Sequence, residues 1–156
     1  MHKSGYIYID GTRVRKRTIG EGTKKIIMIP GWPFSSTIYL LLTDVIRDVQ
    51  IISFDLPGWS GQTTVTTKVL PSFNTYLALC DKITKQLMVK EGPCFIGGVS
   101  VGGLMALMLC KTNPNFKGCF VQSPACNGLA VAKNHKVELF FMRLSVFFPF
   151  IGVGLK

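Results

Sequence analysis

Phe95-Ile96-Gly97-Gly98-Val99-Ser100-Val101-Gly102-Gly103-Leu104 is the stretch on which the reading of this chain turns. Apolar residues run into Gly98-Val99-Ser100-Val101-Gly102, and an apolar segment with helical character follows at once. This is G-x-S-x-G in a strand–turn–helix setting, the context that gives the pattern meaning. A serine on so tight a turn is held in a strained backbone conformation, with its hydroxyl above the sheet edge. Gly98 and Gly102 lack a Cβ and let the crowded backbones approach. The helix beginning there aims its free N–H groups, and the positive end of its dipole, at whatever the serine meets.

Working outward, 156 residues make one domain, long enough to bury roughly two-thirds of its unfolded surface. Hydrophobic residues reach 47% with a mean hydropathy of +0.34, apolar for a freestanding soluble domain. No uncharged apolar run approaches the ~18 residues of a membrane span. The nearest candidate, Leu144 to Leu155, is short and contains Pro149. Stable membrane insertion is therefore not expected, and Met1 to Tyr6 lacks the apolar core of a signal peptide. Cys80, Cys94, Cys110, Cys119 and Cys126 are odd in number and widely spread, with no C-x-x-C pair. They read as packing residues in a reducing cytoplasm, and neither a disulfide framework nor a metal site is expected.

The net charge of +10 raises the question of an anionic partner. Its densest cluster, Arg13, Arg15, Lys16 and Arg17 with Lys24 and Lys25 nearby, sits on a short hairpin with few aromatic neighbours suited to base stacking. We read it as a solvated edge-strand face that discourages aggregation, in preference to a nucleic-acid or anionic-membrane site. No nucleic-acid partner is expected.

Along the chain, Tyr6 to Ile9 alternates as a strand, Asp10-Gly11 signals a hairpin, and Thr12 to Thr18 returns. Lys25 to Ile29 is an apolar run typical of a buried parallel strand. Pro30-Gly31-Trp32-Pro33-Phe34-Ser35-Ser36 breaks it, and Ser35 or Ser36 caps an expected helix through Tyr39, Leu42, Val45 and Ile46. Val49 to Phe54 is the next strand. From Phe73, Tyr76, Leu77, Cys80, Ile83 and Leu87 keep helical spacing until Glu91-Gly92-Pro93. Cys94 to Val99 leads into the elbow. The helix after Ser100 is apolar nearly all round, which predicts cover on several sides. Phe116 to Val121 is a further strand. Such alternation predicts an α/β fold: a mostly parallel sheet with helices on both faces, behind a leading β-hairpin.

In this order the features resemble the α/β-hydrolase superfamily from about Tyr6 to about Pro124. Pro30-Gly31-Trp32-Pro33 looks like the family's His-Gly-x-Pro oxyanion loop, with Pro30 in place of the usual histidine. Asp55-Leu56-Pro57-Gly58-Trp59-Ser60-Gly61 is similar to its Asp-x-x-Gly-x-Gly-x-Ser loop, with Trp59 where a histidine is common. The resemblance implies residues 1–124 as a partial hydrolase core and residues 125–156 as the start of a helical lid. It implies Ser100 as a nucleophile forming an acyl-enzyme, with the N–H groups of Val101 and Trp32 as oxyanion donors. Phe34 and Trp59 would flank the pocket, and Asp55 would tie down its own loop without a catalytic role. The expected ligand is a small ester, thioester or related acyl substrate, with no cofactor. Serine at the elbow disfavours epoxide and haloalkane chemistry by the aspartate route.

The family's triad runs Ser, then acid, then His along the chain. After Ser100 the sequence offers only Glu138 and His135, with no strand leading into either, and His2 sits at the terminus. The expectation is a chain that holds the first part of the fold, with the strand after residue 116 as an open apolar edge, poor solubility and negligible turnover alone. A non-catalytic relative that keeps the scaffold to bind a partner is the alternative, and a basic, apolar protein of membrane surfaces is a third.

Overall fold

The computed structural model describes residues 2–57, 59 and 72–125. Six strands form one sheet: β1 (His2–Ile9), β2 (Thr12–Ile19), β3 (Lys24–Ile29), β4 (Val49–Phe54), β5 (Phe95–Val99) and β6 (Cys119–Gln122). Their order across the sheet is β1-β2-β4-β3-β5-β6. The hairpin β1–β2 is antiparallel and joins β4 antiparallel, while β4, β3, β5 and β6 run parallel. Among the described residues there are two α-helices, α1 (Phe73–Glu91) and α2 (Val101–Thr112), and one 3₁₀ helix, Ser36–Leu42. The predicted α/β class and mostly parallel sheet are what the structure has.

Alternation along the strands divides the core in two. Ile27 and Ile29 of β3 join Ile52, Phe54 and Ile96 beneath α1 and α2, which contribute Tyr76, Cys80, Ile83, Leu87, Met105, Ala106 and Leu109. Met28, with Ile19 and Ile51, faces the other way and packs under Tyr39 of the 3₁₀ helix. Among the described residues, α1 and α2 thus lie on one face and the 3₁₀ helix on the other.

Two expectations shift. The helix expected through Ile46 is a 3₁₀ helix ending at Leu42, followed by turns. Ser35 caps its start by accepting from the Thr37 N–H, and the Thr43 hydroxyl bonds back to the Leu40 carbonyl at 2.7 Å, competing with helical continuation. The last strand starts at Cys119, not Phe116. The Asn113 side chain accepts from the Asn115 N–H at 3.0 Å, turning the chain, and Phe116 plugs into the core. The α2 helix buries Met105, Ala106 and Leu109 and leaves Leu107 and Met108 more than a third exposed. Among the described residues β6 is an edge strand of the sheet, and it carries Phe120 at 61% exposure.

The α1 helix is anchored at both ends. Ser72 accepts from the Thr75 N–H at its start, and Glu91 at its end meets Lys16 of β2 at 3.2 Å and Lys25 of β3 at 3.0 Å. Burial alone raises the Glu91 pKa, but hydrogen bonds from Lys25 and Lys16 outweigh it and hold the carboxyl below its usual range.

Candidate active site

Because β4, β3 and β5 are parallel, the loops that follow them leave the same end of the sheet. Those loops carry Asp55–Trp59, Pro30–Phe34 and Ser100 respectively. Neighbours in the sheet, they converge, although nearly seventy residues separate Gly31 from Ser100 in sequence.

Ser100 stands between the last residue of β5 and the first of α2, with φ 54° and ψ −123°. An L-residue adopts that conformation only when its surroundings impose it. They do so by hydrogen bonds and by space. The Ser100 N–H donates to the Gln122 carbonyl at 3.0 Å, and the Ser100 carbonyl accepts from Leu104 and Ala125, both at 3.1 Å. A Cβ on Gly98 would lie 2.5 Å from the Gly102 backbone, and one on Gly102 would lie 2.4 Å from the carbonyl oxygens of Ile29 and Pro30. Strand, helix and the preceding loop therefore touch backbone to backbone around the serine.

The Pro30–Phe34 segment lies directly against this elbow. A Cβ on Gly31 would sit 2.9 Å from the Val99 carbonyl oxygen and 3.3 Å from the Ser100 Cβ. The turn is closed by Phe34 N–H to the Gly31 carbonyl at 2.8 Å, and Trp32 packs against the main core cluster. No group among the described residues accepts from the backbone N–H of Trp32 or of Val101, the latter being the first N–H of α2. Phe34 is half exposed at the rim.

Asp55 is fully buried, and its Oδ1 accepts from the Ser36 N–H at 2.7 Å. It thus ties the end of β4 to the segment leaving the Trp32 turn, a structural role that reaches beyond its own loop. Nearby Arg17 is buried too. Burial and the adjacent Arg15 pull its pKa below the usual value, against the opposing effect of Asp55. The sequence carried one signal for this clamp: a lone acid at the end of an apolar strand must find a donor.

Trp59, expected at the pocket, is a core residue. It is 1% exposed, lies edge-on to Tyr76 with ring centroids 5.5 Å apart, and closes a turn onto the Leu56 carbonyl at 3.0 Å. The Tyr76 hydroxyl donates to the Pro57 carbonyl at 2.9 Å, so the loop is held from below, and burial pushes the Tyr76 pKa up to about 12. The ring supports the loop from within the core.

Ser100, Val101 and the turn that holds Trp32 are thus brought together; His2 is not. It pairs with Ile19, which pairs with Ile51 near the start of β4, at the opposite end of the sheet. His135 and Glu138 lie outside the described residues, as do nearly all of 125–156 assigned to a lid. Among the described residues no group of His, Cys, Asp and Glu is arranged to hold a metal ion, and no helix is long and apolar enough to cross a membrane. The described cysteines are free, with Cys80 and Cys94 buried as expected and Cys119 exposed. A groove of about 780 Å³ between α1 and α2, lined by Leu77, Asp81, Met108 and Asn113 among others, opens away from Ser100 towards the far end of α2.

Comparison with known proteins agrees with this fold. The phospholipase YtpA of Bacillus subtilis is 32% identical over 105 residues, which cover 66% of this chain and 40% of that protein. A bacterial membrane phospholipase A superposes with a TM-score of 0.68 at 13% identity, over 79% of this chain and 40% of the other. The haloalkane dehalogenase DbeA of Bradyrhizobium elkani superposes with the same score at 18% identity, over 80% of this chain and 42% of the other. The chain thus spans about 40% of the length of these relatives. The model of the alpha/beta hydrolase family matches residues 26–154, from β3 through the elbow and beyond. The chain belongs to the α/β hydrolase family.

Proposed function

We propose that this chain carries the nucleophile and oxyanion half of a hydrolase acting on esters, thioesters or related acyl compounds. The observation that carries the reading is the left-handed Ser100 at the β5–α2 junction with the Gly31 turn laid against it. In this reading the Ser100 hydroxyl oxygen attacks the substrate carbonyl carbon, and its proton passes to a base. The carbonyl π bond opens onto oxygen, giving a tetrahedral adduct. The backbone N–H of Val101 and that of Trp32 donate to that oxygen, helped by the positive end of the α2 dipole. The adduct collapses with loss of the alcohol or thiol, leaving an acyl-enzyme that water then cleaves.

Three features support an acyl substrate with an apolar group. Serine stands at the elbow, Phe34 is half exposed beside the turn, and the relative YtpA is named a phospholipase. The base is the part this reading leaves to residues outside those described, where His135 is the remaining histidine of the sequence. Residues 1–124 serve as the core and 125–156 as the start of a cover over Ser100.

A fluorophosphonate probe tests the reading, since it reacts with an activated serine. Labelling of the 156-residue chain that disappears in Ser100→Ala is expected. Absence of labelling in a folded chain supports the alternative, a scaffold that binds without catalysis. The observation favouring that alternative is that the histidine among the described residues lies at the far end of the sheet.

A further inference from the structure

The β1–β2 register puts on the page what its sequence does not announce. Opposed residues in an antiparallel pair share a face, and here Tyr6 opposes Arg15, Tyr8 opposes Arg13 and Ser4 opposes Arg17. The opposite face of the hairpin, Ile7, Ile9 and Val14, belongs to the main core. That first face is open towards the hairpin turn, where Tyr6 is 49% exposed, Tyr8 is 64% exposed and Arg13 is exposed, while Arg15 is half-buried and Arg17 buried. Arg13 lies over the Tyr6 ring at 4.7 Å from its centroid, and the Arg15 guanidinium donates to Ser4 at 3.1 Å. The cluster that reads as a plain charged edge is therefore a two-by-two block of tyrosine and arginine.

Its position matters as much as its content. Lys16 pairs with Phe54, the last residue of β4, and the Asp55 N–H donates to the Arg15 carbonyl at 2.9 Å. Arg13 and Tyr8 therefore stand beyond the C-terminal ends of the parallel strands, by roughly 7–10 Å at strand rise. That is the end of the sheet at which Ser100 and the Trp32 turn lie. Lys16 and Lys25 share the one carboxylate of Glu91, whereas Arg13 meets no carboxylate among the described residues.

We propose that this tyrosine–arginine face of the β1–β2 hairpin docks the protein onto an anionic lipid surface. The rings are amphipathic and suit the headgroup boundary, and the guanidinium groups suit lipid phosphates. Docking there would turn the Ser100 end of the sheet toward the bilayer. A single-stranded nucleic acid is the weaker fit. Arg13 already covers one side of Tyr6, and a stacking platform needs open ring faces along a basic groove. The inference stands on the hairpin alone and does not need Ser100 to be a nucleophile.

Co-sedimentation of the full chain with vesicles tests it. Vesicles of phosphatidylcholine with about one-third phosphatidylserine should pellet the protein, and pure phosphatidylcholine should not. Binding should fade as salt rises to about 0.5 M, where charge screening reaches a few ångströms. At about fivefold per basic residue near an anionic surface, Arg13→Gln with Arg15→Gln should weaken binding roughly 25-fold. Tyr8→Ser should weaken it further, while Lys111→Gln on α2 and Ser100→Ala should leave it unchanged. Far-UV circular dichroism checks that the hairpin variants stay folded. Equal pelleting by neutral vesicles, insensitivity to the paired arginine change, or tighter arginine-dependent binding to a single-stranded RNA than to the vesicles would each overturn the proposal.

Discussion

The elbow around Ser100 and the hairpin β1–β2 occupy the same end of one sheet, yet they are built by opposite means. At the elbow the backbone fills all the space: Gly31, Gly98 and Gly102 are each where a single added carbon would strike a carbonyl or a neighbouring main chain. On the hairpin the backbone is open, and a Cβ on Gly5 would meet nothing within 4 Å. Its character comes from which side chains pair across the strands. One region encodes geometry through what is missing from its residues; the other encodes chemistry through what they carry.

The sharpest way to break that contrast is a matched pair of glycine substitutions. Gly102→Ala forces a Cβ to 2.4 Å from two carbonyl oxygens and should destabilise the chain by about 3 kcal/mol or more in urea unfolding. Gly5→Ala should stay within about 0.5 kcal/mol of the parent, since strand alanine costs less entropy than glycine. Similar midpoints for both variants would remove the packing argument for the elbow. Asp55→Ala should cost on the order of 2 kcal/mol, because it orphans the Ser36 N–H at the start of the 3₁₀ helix. The same variant should loosen the Trp32 turn, read as faster amide exchange at Ser36 to Tyr39.

Ser100→Gly sharpens the comparison from the other side. Glycine tolerates φ 54° without strain, so this variant should gain roughly 1 kcal/mol of stability while losing the probe-reactive hydroxyl. A loss of stability would mean that the serine side chain itself holds the turn. The smallest effect concerns Glu91. Its folded pKa is lowered, so its contribution is present above the unfolded value of about 4.3 and is lost as pH falls through the folded value. Glu91→Gln should flatten the acid limb of the stability curve by no more than about 1 kcal/mol, because the pair is partly solvated. An unchanged acid limb would show that the lysines find other partners.

Much of the sheet was legible because its signals are local. Asp10-Gly11 forms the turn between β1 and β2, the run ending at Ile29 is a core strand, and helical spacing from Phe73 marks α1. The elbow was legible for the same reason, since glycine spacing reports crowding wherever it occurs. The 3₁₀ helix was not, because the Thr43 hydroxyl and the Asp55 carboxylate, one local and one distant, decide how that segment winds. The burial of Trp59 was not legible either, for a related reason. An aromatic residue in a loop looks exposed until its packing partner is known, and that partner, Tyr76, lies on the following helix.

The sequence by itself determined the alternation of strands and helices, the tight serine turn and the family to which such an order points, because propensity and steric crowding act over a few residues. Only the tertiary structure decided that the Gly31 turn lies against Ser100, that Asp55 clamps the 3₁₀ helix and that tyrosines stand beside arginines on the hairpin. Those facts depend on strand order and register, which are settled when the whole sheet closes over one core and every buried donor must find its acceptor.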